Sequence, residues 1–241
     1  MNRALLLVSV LVPGLASAAE PSLSQMSFAG SPLSMMGMLA LMSLLPFAVL
    51  MLTCFSKIAV VLSLARSAMG TQQAPPTIVL TGLAAVLTGH IMAPVMEHMY
   101  DVGQVVYEDT RSGAQIISAA SKVSEPLRTF LVKHGSPEER ARFVDLAREL
   151  RPPEEADHVH EDDLFVVIPA FVITELKEAF QIGFLVFLPF LVLDMVIANV
   201  LLALGMQSLS PSQVSLPFKI LLFVAVDGWS LLARGLILGY R

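Results

Sequence analysis

From Leu164 to Met206 the chain is apolar almost throughout, yet Glu175, Lys177, Glu178 and Asp194 interrupt it. One helix over this stretch, rising about 1.5 Å per residue, would be roughly twice as long as the ~30 Å hydrocarbon core of a bilayer is thick. It is not a simple upright span. Each charge held at mid-bilayer would cost about 2.5–3.5 kcal/mol on insertion scales, so such a segment has to turn its charges toward protein or water. The last run, from Pro217 to Tyr240, repeats the pattern. Lys219, Asp227 and Arg234 leave no uncharged interval in it long enough to cross.

Hydrophobic residues make up 55% of the 241, charged residues 15%, and the mean hydropathy is +0.73. That balance belongs to a membrane protein or a buried assembly, not to a soluble domain. With one Trp and three Tyr, any aromatic belt at the interfaces is thin. A net charge of -5 without a Lys/Arg cluster argues against nucleic acid as a partner, because phosphate binding needs concentrated positive charge. The single cysteine, Cys54, excludes an internal disulfide and reads as a small buried hydrophobe within an apolar run.

The chain divides into five segments. Residues 1–18 have the form of a signal peptide: Arg3, an apolar stretch from Ala4 to Leu15, then the small-x-small pattern Ala16-Ser17-Ala18. After a linker at 19–32, the first apolar helical hairpin occupies 33–99. Its first arm is free of charge from Leu33 to Leu52, continues through Lys57 to Arg66, and carries Pro46, which predicts a kink. The turn contains Gln72, Gln73, Pro75 and Pro76, and the second arm runs from Ile78 to about Val95. The polar, acidic region at 100–163 is expected outside the cytoplasm, with Lys57 and Arg66 flanking the inner turn. Within it, Ser136-Pro137-Glu138-Glu139 reads as a capping box opening a helix whose apolar stripe is Phe143, Leu146, Ala147 and Leu150. Arg151-Pro152-Pro153 ends that helix, and Glu154 to Asp163 reads as a solvated linker. The second apolar hairpin fills 164–241 and reverses between Gly205 and Ser215. The expected fold is therefore all-α: membrane-associated long kinked helices in two hairpins with a small helical extracytoplasmic insert.

No phosphate-binding glycine loop, His-Glu-x-x-His or Gly-x-Ser-x-Gly occurs, so the reading is of a non-enzyme without cofactor or metal. His158 and His160 sit among acids in the linker and frame no metal geometry; His90 and His98 read as structural. Glu175 and Glu178 flank Lys177 within about one turn, and an intrahelical pair or a cross-subunit salt bridge would offset the cost of burying them. Asp194, Lys219 and Asp227 each stand alone in apolar surroundings. Antiparallel folding about the Gly205 to Ser215 turn brings Asp194 toward Lys219, or else leaves it for a neighbouring subunit.

Three stretches carry a resemblance. Pro169-Ala170-Phe171-Val172-Ile173-Thr174-Glu175-Leu176-Lys177-Glu178-Ala179-Phe180-Gln181-Ile182-Gly183-Phe184 looks like one signature of the FliP/SctR (YscR) family. Pro217-Phe218-Lys219, five apolar residues and Ala225-Val226-Asp227-Gly228-Trp229 look like a second, and Gly70-Thr71-Gln72-Gln73-Ala74-Pro75-Pro76 is similar to the family's inter-helix turn. The resemblance covers nearly the whole chain outside the polar loop. It implies a core subunit of the type III secretion export gate in the bacterial inner membrane, within a secretion-system or flagellar basal body. It further implies a homopentamer joined by two smaller membrane proteins, SctS/FliQ-like and SctT/FliR-like, with other export-apparatus proteins nearby and unfolded substrates passing through. The loop at Met206, Gln207 and Ser208 corresponds to the family's pore gasket, although Gln207 and Ser208 stand where many relatives carry methionine. The first turn and the leader look flagellar, whereas Met206-Gln207-Ser208 and the ending Gly235 to Arg241 side with the injectisome. The competing reading is a secondary transporter or proton channel working through intramembrane Asp194 and Asp227.

Overall fold

The structure is a computed structural model that describes residues 32–71, 73–109 and 116–241. Among them the chain forms helices and no strand. The expected signal peptide, the linker up to residue 31, and Gln72 of the first turn lie outside the described residues.

The described residues fall into two units, divided between Pro46 and Phe47. Helix α1 (Pro32–Met51) is uncharged and keeps Pro46 inside it. The expected single arm is interrupted after Met51, and α2 (Phe55–Ala68) begins beyond Cys54. Thr53 lies at the break. Its hydroxyl donates to the Val49 carbonyl at 2.5 Å and accepts the Phe55 amide at 3.4 Å, a local alternative to the helix ladder.

Within the second unit, α2 turns back through Gly70, at φ 76°, into α3 (Thr77–Asp109). Arg66 Nη1 clamps this turn by donating to Thr77 Oγ1 at 3.0 Å and to the Pro75 carbonyl at 3.3 Å. Helix α3 outruns the expected limit near Val95 and passes residue 100 without a break. Next come α4 (Ile116–His134), α5 (Pro137–Glu149) and the single turn α6 (Pro153–Ala156). The insert they form packs on the hairpins: α4 and α5 both lie against α7 (Leu164–Ala203), and Phe130 and Leu131 of α4 belong to the main core.

Three details of the insert differ from expectation. Ser136 and Pro137 hold the N-cap and first positions, but the Ser136 side chain makes no cap hydrogen bond. Instead its backbone N–H donates to Thr174 Oγ1 of α7, at 3.0 Å. The buried apolar residue of α5 is Val144, supported by Phe143 and Ala147, while Leu146 and Leu150 of the expected stripe are exposed. Docking on α7 rotates the buried face by about one position. The acidic linker is also tethered, since Val159 is buried against Val144 and Val166.

Helix α7 is one continuous element of 40 residues with Pro169 and Pro189 inside it, about 60 Å long at 1.5 Å per residue. It ends in a Schellman turn: Gly205, at φ 70°, donates to the Leu202 carbonyl and Met206 to the Leu201 carbonyl, satisfying two otherwise open acceptors. The return arm is not one helix. α8 (Pro211–Ala225) and α9 (Gly228–Leu238) meet at 57°, and Asp227 at the break adopts φ 51°. Among the described residues two helices are long and apolar enough to cross a membrane alone, Thr77–Val106 and Leu164–Ala203; the bent α8–α9 pair qualifies only taken together.

The core joins Ile58, Val61 and Leu62 of α2 to Leu80 and Ala84 of α3, Leu131 of α4, and Val167, Phe171 and Ala179 of α7. α2 and α7 approach closely at Gly183, where a Cβ would stand 2.2 Å from Leu64 Cδ1.

Candidate functional site

Two charge clusters organise the second unit. The first lies where α2, α7 and the C-terminus meet. Lys57 Nζ stands 2.9 Å from Glu175 Oε1 and 2.6 Å from Glu178 Oε2. The i, i+3 spacing of the two glutamates puts both on the α7 face that meets α2. Glu175 is fully buried and Lys57 nearly so. The Tyr240 hydroxyl donates to Glu175 Oε2, and the Lys57 ammonium sits 4.3 Å from the centre of the Tyr240 ring, within cation–π range. Oε1 of Glu175 accepts no hydrogen bond of good geometry, so Lys57 acts on it as a charge more than as a directed donor. The rings of Phe130 and His134 close over Tyr240 at 6.1 and 5.0 Å.

This arrangement differs from the pairing expected around Lys177. That residue is on the exposed side of α7 and reaches Glu139 Oε1 of α5, at 3.7 Å. Sequence reading missed Lys57 and Tyr240 as members of the cluster, having placed Lys57 as a flank of the inner turn. The signal was present: Lys57 is the one cation between Leu33 and Ala65, and two acids one turn apart on another apolar helix require a counter-charge.

The second cluster sits below the α7–α8 turn. Asp194 Oδ2 lies 2.6 Å from Lys219 Nζ, and Ser215 Oγ donates to Asp194 Oδ1 at 2.6 Å. Lys219 and Ser215 are buried, while Asp194 is partly exposed. Lys219 Nζ also borders Gly70 of the first turn, 3.9 Å from where a Cβ would be. One cation therefore ties α8 to α7 and lies beside the α2–α3 turn. Asp227 is not brought into either cluster; it is exposed at the α8–α9 break and makes no ion pair among the described residues.

Beyond the second cluster the loop is open. Leu204, Met206 and Leu209 are exposed, as are Gln207 and Ser208 between them. Of the first turn, Gln73 and Pro76 are exposed and Pro75 half-buried. Along α7 and α8 a broad apolar face, including Phe184, Leu185, Met195, Leu221 and Val224, is uncovered within the chain. A surface of this extent requires lipid or protein against it. Among the described residues no group of three His, Cys, Asp or Glu side chains converges on a point where a metal could sit.

A sequence profile of the FliP family matches residues 38–236. The chain is 45% identical to the Hypersensitivity response secretion protein HrcR of Ralstonia nicotianae, over 86% of this chain and 97% of that protein. It is 44% identical to the Yop proteins translocation protein R of Yersinia pestis, over 84% and 93%. It is also 43% identical to the Flagellar biosynthetic protein FliP of Caulobacter vibrioides, over 86% and 76%.

Proposed function

Since the chain belongs to the FliP family, we propose that it is a core export-gate subunit that assembles as a homopentamer in the bacterial inner membrane. It is a membrane component of a type III protein-export apparatus and not an enzyme. In the proposed assembly two smaller membrane proteins, SctS/FliQ-like and SctT/FliR-like, complete the gate, and unfolded substrates pass along its axis. The extracytoplasmic side receives α4 and α5, and the two hairpins form the gate proper.

The observation that carries this reading is the pairing of an uncovered apolar face with an anchored, open loop. The face on α7 and α8 is too extensive for one chain to hide and is suited to packing between copies. The Asp194–Lys219–Ser215 network fixes the base of the hairpin, leaving Met206, Gln207 and Ser208 free to meet a passing chain. Methionine suits that contact because its flexible, polarizable thioether conforms to varied side chains. Asp227, exposed and without an ion pair among the described residues, is the charge left for contacts between subunits, whereas Lys177 and Glu178 are already paired within the chain.

The transporter reading is weaker on a specific point. Of its two acids, Asp194 is already held by an ammonium and a hydroxyl, and Asp227 sits exposed at a helix break. Neither has the setting of a mid-membrane ion carrier. The test is native mass spectrometry of the full chain in mild detergent, alone and coexpressed with the neighbouring export-gate genes. A homopentamer that takes up the smaller partners supports the gate; a monomer or dimer that ignores them refutes it.

A further inference from the structure

The groove between the later part of α3 and α4 borders the first charge cluster only through Phe130, His134 and Tyr240, and the gate reading makes no use of it. It encloses about 490 Å³, and Ile91, Val95 and Phe130 form its apolar floor. Its rim is basic. Lys122 and Lys133 line it, one toward each end of α4, and no described carboxylate lies within ion-pair range of either. The single lining acid, Glu125, faces Arg128 at 3.6 Å and is thereby partly offset. The remaining titratable lining groups are His98, His134 and Tyr240, whose hydroxyl donates to Glu175; none of them adds negative charge.

Its depth is fixed by α3. That helix carries no Asp, Glu, Lys or Arg from Thr77 to Met96, then bears Glu97, Asp101, Glu108 and Asp109. The groove runs beside residues 91–102 and so straddles the change from apolar to charged helix. In a spanning helix that change marks the boundary between hydrocarbon and headgroups.

We propose that this groove binds a phospholipid with an anionic headgroup, its acyl chain along Ile91, Val95 and Phe130 and its phosphate reached by Lys122 and Lys133. An apolar floor with two uncompensated ammonium groups complements an amphiphilic anion. Long lysine stems can follow the apolar wall while the charge reaches a headgroup. An acidic peptide would match the rim but not the floor. The proposal depends on α3 lying in a membrane, not on the export role.

The test uses the full chain, in whatever oligomer it forms in mild detergent, and counts retained lipids by native mass spectrometry. Phosphatidylglycerol and phosphatidylcholine with identical acyl chains are offered together. Phosphatidylglycerol is expected to be retained at least about tenfold over phosphatidylcholine, with Lys122→Gln and Lys133→Gln each lowering retention about fivefold, the effect of one lysine beside an anionic surface. Both lysines are exposed, so the variants keep the fold. Arg142→Gln, at an exposed position of α5 outside the groove, is expected to leave retention unchanged. Equal retention of the two lipids, indifference to both lysine variants, or an equal loss with Arg142→Gln would overturn the proposal. So would displacement by glycerol 3-phosphate alone, which would assign the site to a free phosphate, or exclusion of all lipid because a second copy fills the groove.

Discussion

Removing Lys57 should destabilise the second unit more than any other single change to a charged residue. In Lys57→Met the fully buried Glu175 loses its cation and keeps only the Tyr240 hydroxyl, and Glu178 loses its partner at 2.6 Å. Stripping one member from a buried pair costs about 3–5 kcal/mol, because the surviving charge is left without compensation. The partial exposure of Glu178 lets water relieve that part of the loss, so the Glu175 contact sets the magnitude. At roughly 2–4 °C per kcal/mol for a chain of this size, Tm should fall by about 6–20 °C. The assay is thermal unfolding of the detergent-solubilised protein across a double-mutant cycle. Lys57→Met and Glu175→Leu should each be severe, and their combination clearly milder than the sum, since an apolar pair leaves no buried charge. Additive losses would refute the reasoning, because they would mean that the two groups do not compensate each other within the chain.

Three further outcomes follow from the geometry. Gly183→Ala places a Cβ 2.2 Å from Leu64 Cδ1 and 3.1 Å from Leu64 Cβ; the leucine tip can turn but its Cβ cannot, so a loss of about 1–3 kcal/mol is expected by thermal unfolding. Ser215→Ala removes one of the two groups holding Asp194 and should lower stability by about 1 kcal/mol, with Ser215→Thr retaining more of it in the same assay. Burial, reinforced by Lys133, holds the His134 imidazole below its usual value. Its neutral form is therefore favoured in the folded chain, and its contribution is full above the ordinary histidine value and lost as pH falls toward the depressed one. Between pH 7.5 and 5, Tm of the parent chain should fall more than that of His134→Phe; equal slopes would remove His134 as the cause.

What could be read in advance follows the length scale of each interaction. Helices are set by local runs of apolar residues, so α1, α3 and α7 were visible; the turn at Gly70 and the reversal at Gly205 were marked by glycine and proline. Break points were less visible. Pro46 looked like the weak point of the first arm, yet the ladder gives way near Thr53, where a hydroxyl competes for the backbone. The split at Asp227 depends on one residue adopting a left-handed conformation that composition does not announce. Charge pairing was legible only between neighbours in the hairpin. Asp194 and Lys219 are brought together by the turn between them, whereas Lys57 and Glu175 are joined through the packing of α2 on α7, which pattern alone does not align. The buried face of α5 was misjudged for the same reason: Leu146 and Leu150 have the right spacing, but docking on α7 selects Val144.

The proposed gasket raises a question of material. A seal made only of methionine side chains conforms because every contact is flexible, and here the tip offers Met206 followed by Gln207 and Ser208. The loop compensates in part by exposing Leu204 and Leu209 on either side, so an apolar ring contributed by five copies would still be present, with polar groups between its members. Such a ring should be more easily wetted than an all-methionine one. Met206→Ala removes the longest of its side chains without touching the Schellman hydrogen bonds, which are made by the backbone. In liposomes holding the assembled gate without substrate, this variant should leak small ions several-fold faster than the parent, while Gln207→Met should leak more slowly. Unchanged leakage in both would take the loop out of the seal, and leave the hairpin tip as no more than a connection between α7 and α8.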